Sequence, residues 1–599
     1  MYPYGLIGNC QIAALVGQSG SFDWLCLPRP DSPPVFGKLL DEEGGHFSIS
    51  SPDVESSTQE YIRNTNVLIT NVTLKNGDAY KITDFCPRFQ QFGRSFRPFA
   101  AFRILEPVKG QPNVRVECKP VSGWDKMPLV AARESSHLRF DIRGEVLRLW
   151  TTMPLTYLAE AQTFSLMEKT YFGLTWNYAI EEDLVQVTEN FLHQTIHYWR
   201  LWVRHCNIPS EYQSDTIRSA LALKLHCYED TGAILAALTT SLPEEAGHTR
   251  NWDYRFCWLR DASFVLNAFQ QLGHFEEMEG FLKFLLSVAR GHEDSADRLR
   301  PVYALDREVP LPEQEHSNWS GFKNSQPVRS KNQAAEHTQN DVYGEMIVAL
   351  APIYFDERFY HLRTPEHEEM LATLVRFCVK NISKPDAGLW EIRDGWQEHS
   401  FSNLLCWAGI DRALAIQKLG YLQNLDINLE AELKRAESAL RKAAVDGYVG
   451  NGPTDSTPDA SLLFMPLLRF PDKELNRETV LRLEKELTFR DEKSETAQDE
   501  KAGEAFLYRY LRKDDFGRPA SAFLICSYWL VQALVRVGEK ERARLLMDKL
   551  LVARNSLGLL AEHFDPSKKQ QLGNFPQAYS HTGQILAAFA VSKPWEEVL

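Results

Sequence analysis

The chain has 599 residues, 44% apolar and 24% charged, an ordinary globular composition with room for about two to four domains. Lys and Arg number 66 against 80 Asp and Glu, so the formal charge is −14. That sign excludes a protein built to neutralise phosphates, and nucleic acid with it, but leaves a neutral substrate unaffected.

No apolar run approaches the ~18 residues of a membrane span. The best stretch, 523–535, is broken by Ser527 and Gln532. The opening Met1-Tyr2-Pro3-Tyr4-Gly5 has neither the basic start nor the apolar core of a signal peptide, so a cytoplasmic protein is expected. Ten cysteines are scattered without a C-x-x-C pair, which predicts buried thiols in a reducing compartment rather than a disulfide frame or zinc site. No ligand cluster suggests another metal or a cofactor, and oligomeric state is not encoded in any readable feature.

The first ~200 residues alternate with period 2 and read as strands. Val67 to Leu74 is rich in β-branched residues, and Lys81 to Phe85 follows across Asn76-Gly77, a pair that predicts a type I′ hairpin turn. Further strands are expected in Val114 to Val121, in Leu138 to Thr152 about a turn at Arg143-Gly144, and in Thr163 to Trp176. Many short strands of this kind suggest an antiparallel β-sandwich, placed at residues 1–205.

From about Asp215 the period changes to 3.6. Twelve helices are predicted near 213–229, 260–272, 275–290, 340–355, 365–382, 402–419, 427–444, 459–469, 475–489, 519–537, 539–554 and 577–591. Gly273, Gly420 and Gly538 sit where a helix must stop and relieve the left-handed cap. Consecutive helix pairs suggest six hairpins closed into an (α/α)6 barrel over 206–599; an open α-solenoid would need a fixed repeat, which the chain lacks. The segment 291–339 has almost no periodicity and is either a functional loop or a surface excursion.

Phosphate-loop, dinucleotide, H-E-x-x-H and G-x-S-x-G signatures are all missing. Three clusters instead place carboxylates among aromatic or apolar residues beside predicted helices: Arg250 to Asp261, Gly388 to Arg393 with Trp396 and His399 behind, and Leu559 to Pro566. Sugars require this mixture, because an aromatic face stacks on the C–H face of a pyranose while Asp and Arg bond its hydroxyls. Glycoside hydrolysis adds two carboxyl groups, one protonated and one ionised. An apolar wall such as Trp390 would hold Glu391 protonated.

The run Asn251-Trp252-Asp253-Tyr254-Arg255-Phe256-Cys257-Trp258-Leu259-Arg260-Asp261-Ala262 resembles the signature of glycoside hydrolase family 15, the glucoamylase and trehalase-like family. The likeness continues through Leu6 to Cys10, Gly20 to Pro28, Gln339 to Glu345, Gly388 to Glu391, Gly558 to His563 and Gly573 to Gln577, nearly the whole chain. It implies a β-sandwich followed by an (α/α)6 barrel, in agreement with the periodicities. By the resemblance Glu391 is the general acid and Glu562 the general base, while Arg260 and Asp261 hold the terminal glucose and Tyr254, Trp258 and Trp390 line its subsite. The family inverts, which requires the two carboxyl groups to lie roughly 6.5–9.5 Å apart.

Gln339 and Asp341 are expected to border the pocket, and Glu345 to be structural or to lie behind it. The stretch His399-Ser400-Phe401-Ser402-Asn403 departs from the Phe-Thr-His-Ser-Lys of many bacterial relatives in a region expected to face substrate; His563 stands where fungal glucoamylases carry Gln. The resulting expectation is an exo-acting glucoamylase releasing β-glucose from α-glucans, with α,α-trehalose and isomaltose-type α-1,6 disaccharides as alternatives. An inverting phosphorylase would need an anion site in place of Glu562, and a non-catalytic glucan binder would not need both carboxylates.

Overall fold

The hairpin expected at Asn76-Gly77 forms, with Leu68–Leu74 antiparallel to Ala79–Phe85, but its turn is longer than two residues. Only Gly77 has positive φ (86°); it donates to Leu74 O, and Leu74 N to Asp78 O, the pattern of a type I turn closed by a glycine bulge. The type I′ geometry occurs instead at Arg143-Gly144 (φ 52° and 84°), where Ile142 pairs directly with Glu145.

The structure, a computed structural model, describes residues 1–290, 299–490 and 503–599. Two antiparallel sheets, of seven and eight strands, make up the N-terminal part and pack face to face. Between them lies Arg103, fully buried, on the eight-stranded sheet beside Asp84 (2.7 Å). Its guanidinium also donates to Phe47 O (2.8 Å) and Gly20 O (2.6 Å) of the facing sheet, and lies over the rings of Phe22 and Phe47. The charge is therefore neutralised and its donors satisfied where no water reaches.

The helix Leu184–Arg204 leads into the helical part. There the twelve predicted helices correspond to α1 Gln213–Lys224, α2 Leu259–Leu272, α3 Glu276–Arg290, α4 Asp341–Leu350, α5 Pro365–Asn381, α6 Ser400–Lys418, α7 Leu429–Arg441, α8 Phe464–Leu467, α9 Lys473–Leu487, α10 Leu524–Arg536, α11 Lys540–Leu550 and α12 Ala578–Val591. The even-numbered helices form a closed inner ring, α2 against α4, α4 against α6, through the 3₁₀ turn Ala460–Leu463 to α8, then α10, α12 and back to α2. The odd-numbered helices pack outside them. Ring closure makes this an (α/α)6 barrel. Inner helices such as α6 and α12 are buried almost all round, whereas α7 is amphipathic.

Several helices are shorter than the pattern suggests because another interaction takes their ends. Ala522-Phe523 pairs with His563-Phe564 as strand, so α10 starts only at Leu524. Pro352 has no N–H to continue α4, which ends at Leu350. Residues 291–298 of the expected long loop lie outside the described residues; in the remainder, 301–305 and 328–330 are buried while most of 307–318 is exposed. Trp319 is fully buried and donates from Nε1 to Trp124 O of the sandwich (2.8 Å). Among the described residues no helix is long and apolar enough to cross a membrane.

Breaking a buried ion pair strands the partner charge, a cost of about 3–5 kcal/mol. Asp84→Ala is accordingly expected to lower the midpoint of urea unfolding, followed by far-ultraviolet circular dichroism; an unchanged midpoint would show that Arg103 does not need its carboxylate.

Candidate active site

The inner helices bring their N-termini to one mouth of the barrel, and the site residues sit on those first turns or in the loops just before them. Trp258 precedes α2, held by pairing of Cys257-Trp258 with Val302-Tyr303. Arg260 and Asp261 follow in the first turn, both buried. Arg260 spends its fork of donors on four partners: Nε to Tyr579 OH (2.7 Å), Nη1 to Leu389 O (2.8 Å) and Gln339 Oε1 (3.3 Å), and Nη2 to Glu391 Oε1 (3.0 Å). Asp261 Oδ2, 3.7 Å from Arg260 Nη2, accepts no hydrogen bond. Burial pushes its carboxyl up to about 7, against the pull of Arg260.

Glu391 occupies a tight turn before α6. Gly388 is in the left-handed region (φ 65°), where a Cβ would come within 2.7 Å of the His399 ring. Glu391 itself has φ 62°, a conformation that costs a non-glycine residue about 1–2 kcal/mol and that persists only when its surroundings hold it. They do so through Oε1, which accepts from Trp258 Nε1 (2.6 Å) as well as from Arg260. The apolar wall expected of Trp390 is not what meets this oxygen: Trp390 donates from Nε1 to the Asp459 carboxylate (2.9 Å) and lays its ring toward Phe523 and Trp529.

Glu562 lies before α12, almost fully buried, with Oε2 accepting from Asn574 N (3.3 Å). Gly573 makes room for it, since a Cβ there would stand 2.5 Å from Glu562 Oε2. Burial, followed by the Glu244 carboxylate, holds Glu562 well above the usual carboxylate range. Glu244 in turn is held by Arg509 (3.1 Å) and by Trp252 Nε1 (3.2 Å). His563 stacks on Phe523, its Nε2 3.7 Å from both glutamates, and burial lowers it to about 4, so it is neutral at pH 7.

Tyr254, Trp258, Arg260, Asp261, Trp390, Glu391 and Glu562, far apart in sequence, line one inner chamber together with Phe523, Gln577, Tyr579 and Arg509. An outer chamber adjoins it, walled by Trp252, Asn332, His337, Arg393, Asp515 and Phe516 among others. Tyr254, Trp390, Glu391 and Arg509 belong to both chambers; Glu562 belongs only to the inner one.

Of the weaker expectations, Gln339 bonds Arg260, and Asp341 and Glu345 are buried behind it on successive turns of α4. His399 and Phe401, expected to face substrate, line neither chamber. His399 is buried behind Gly388 and meets Asn451 (3.2 Å), and Phe401 packs on Phe464, because both lie on the core side of the turn. Glu244, Arg509 and Tyr579 are site residues that the sequence does not single out: each lies in an ordinary polar or aromatic context, and only folding brings it to the others.

The ligand atoms of Glu244, Glu562 and His563 lie within 4.8 Å of one another, the one such group among the described residues that could hold a metal ion. Arg509 already supplies positive charge to Glu244 there, and the fit to an added cation is poor.

The family profile described as Glycosyl hydrolases family 15 matches residues 211–589, and that described as Trehalase-like, N-terminal matches residues 3–141. A trehalase of Mycolicibacterium smegmatis is 31% identical, covering 99% of this chain and 91% of the relative. Trehalase 1 of Sulfolobus acidocaldarius is 30% identical over 98% of each. The structure of a bacterial glucoamylase complexed with acarbose superposes with TM-score 0.67 at 13% identity, over 98% of this chain and 94% of that one, a likeness of fold. The match over the helical part and the near-complete overlap with these relatives lead to one conclusion: the chain belongs to glycosyl hydrolases family 15.

Proposed function

We propose that this hydrolase cleaves α,α-trehalose with inversion, with Glu391 as general acid and Glu562 as general base. The observation that carries the reading is the division of the two carboxylates between the chambers. Glu391 stands at their junction, where a bond joining a ring in each would lie, and Glu562 reaches only the inner ring, away from the leaving side. Inversion needs this arrangement, with water between base and anomeric carbon and the carboxyls roughly 6.5–9.5 Å apart. Likeness along nearly the whole chain, at 30–31% identity, to proteins named trehalase supports a disaccharide over the α-glucan first expected. The likeness to glucoamylase supports only the shared fold.

The inner ring would rest against Tyr254 and Trp258, with a hydroxyl donating to the unpartnered Oδ2 of Asp261. Arg260 and Trp258 hold Oε1 of Glu391, so Oε2 is the oxygen that would protonate the glycosidic oxygen. Glu562 would take a proton from the attacking water, for which its raised pKa makes it a capable base once ionised. Ten unpaired cysteines suit a reducing compartment.

kcat/KM measured on trehalose, maltotriose and isomaltose tests the substrate. Trehalose is expected to lead by a wide margin; preference for maltotriose would restore the glucoamylase reading. Glu391→Gln and Glu562→Gln should each lower kcat on trehalose by about 10²–10⁴. With α-glucosyl fluoride, whose leaving group needs no proton, only Glu391→Gln should recover, and equal loss in both variants would contradict the acid assignment. Activity should rise with pH as Glu562 ionises. Glu244→Gln removes a negative charge that opposes this ionisation, so the acid limb of kcat/KM should move to lower pH; a shift to higher pH would contradict the coupling.

A further inference from the structure

A large cavity lies away from the active site. It occupies the opposite end of the barrel lumen, holds about 930 Å³, and is lined by later turns of the inner helices. A layer of aromatic rings forms its floor: Phe264 lies 5.0 Å from Phe464 and 5.9 Å from Trp529, and Phe464 lies 4.8 Å from Trp529. Two buried polar side chains stand on its wall. Glu345 is 2% exposed and meets the carboxyl of Asp341, and Thr582 is 1% exposed with its hydroxyl unpartnered.

We propose that this end of the lumen is a second carbohydrate site, shaped for a neutral hexose. The size lies within the range of small-molecule sites, and the mixture of wall groups decides the ligand class. An aromatic floor accepts the C–H face of a pyranose, while Gln270 and Gln532 nearer the opening offer amides that both donate and accept, as hydroxyls require. Charge does not recommend an ion. Glu345 lies one turn after Asp341 on α4, two buried acids that burial and mutual repulsion keep from ionising together, so the wall does not present a pair of anions to a cation. At the rim Arg412 is already occupied by Asp411 (2.7 Å) and Leu468 O (2.9 Å).

The floor also touches the catalytic side. Trp529 lies 6.3 Å from Trp390, which precedes Glu391, and Phe264 lies 5.5 Å from Tyr579, which holds Arg260. A hexose in the lumen therefore rests on rings that back the active site, and the hydrolase's own product has the matching chemistry. The inference rests on the hydrolase reading for that product alone, and not on which α-glucoside is cleaved.

Equilibrium dialysis with radiolabelled glucose, taken to saturation, tests it. The wild type should bind one glucose molecule more than Ala415→Trp and Ala349→Trp, at partly exposed positions on the cavity wall, which should retain kcat on trehalose within about twofold. Asp261→Ala, which impairs the inner catalytic chamber, should keep the molecule that the Trp variants lose, and its combination with Ala415→Trp should lose it. Equal stoichiometry in the wild type and in either folded Trp variant overturns the proposal. A protein inactive on trehalose that still bound the molecule lost in the Trp variants would overturn the substrate assignment and leave this site standing.

Discussion

The guanidinium of Arg260 is the constraint on which the rest of the site depends. It is a buried cation with carboxyls of Asp261 and Glu391 beside it and those of Asp341 and Glu345 behind. Its planar fork fixes directions as well as charge, reaching Tyr579 on α12, the backbone at Leu389, Gln339 ahead of α4 and the carboxylate of Glu391. A lysine would supply the charge without the fork. The strained turn that carries Glu391 is held by this side chain and by Trp258 at Glu391 itself and by Asp459 at Trp390, so the proposed proton donor and the chamber wall are positioned together.

The sandwich contributes to the same end without entering the chambers. Arg255 donates to Ser32 O (2.6 Å) and Pro30 O (3.2 Å) of the N-terminal part while Asp253 grips it from beside Trp252 and Tyr254. Trp24 donates to Leu238 O, and the Tyr2 hydroxyl to Gly573 O, the residue whose missing Cβ admits Glu562. The sheets thus act as a brace for the segments that carry Tyr254 and Glu562, and Trp319 and Ser320 reach from the segment 299–339 to the sandwich. The loops that line the chambers are held by the ring on one side and the sandwich on the other.

Much of this was legible in the sequence because it depends on local period. Alternation at Leu68–Leu74 and the glycine stop at Gly273 announce strand and helix ends wherever the chain goes next. The convergence of Trp258, Glu391 and Glu562 was legible for a different reason: their surrounding motifs resemble a family. What stayed hidden depends on partners distant in sequence. Nothing near Ala522-Phe523 says that His563-Phe564 will claim it as strand, and nothing near Glu244 says that Arg509 and Glu562 will surround it. His399 was misplaced because a motif position does not tell which side of a turn its side chain occupies.

The central claim is that Glu391 and Glu562 act from opposite sides of the bond, and proton NMR of the sugars released in the first minutes of trehalose cleavage tests it most directly. The account predicts equal α- and β-glucose at the start, one ring leaving with its configuration and the other inverted by water. Release of α-glucose alone would mean retention, and would contradict the assignment of Glu562 as a base acting on water.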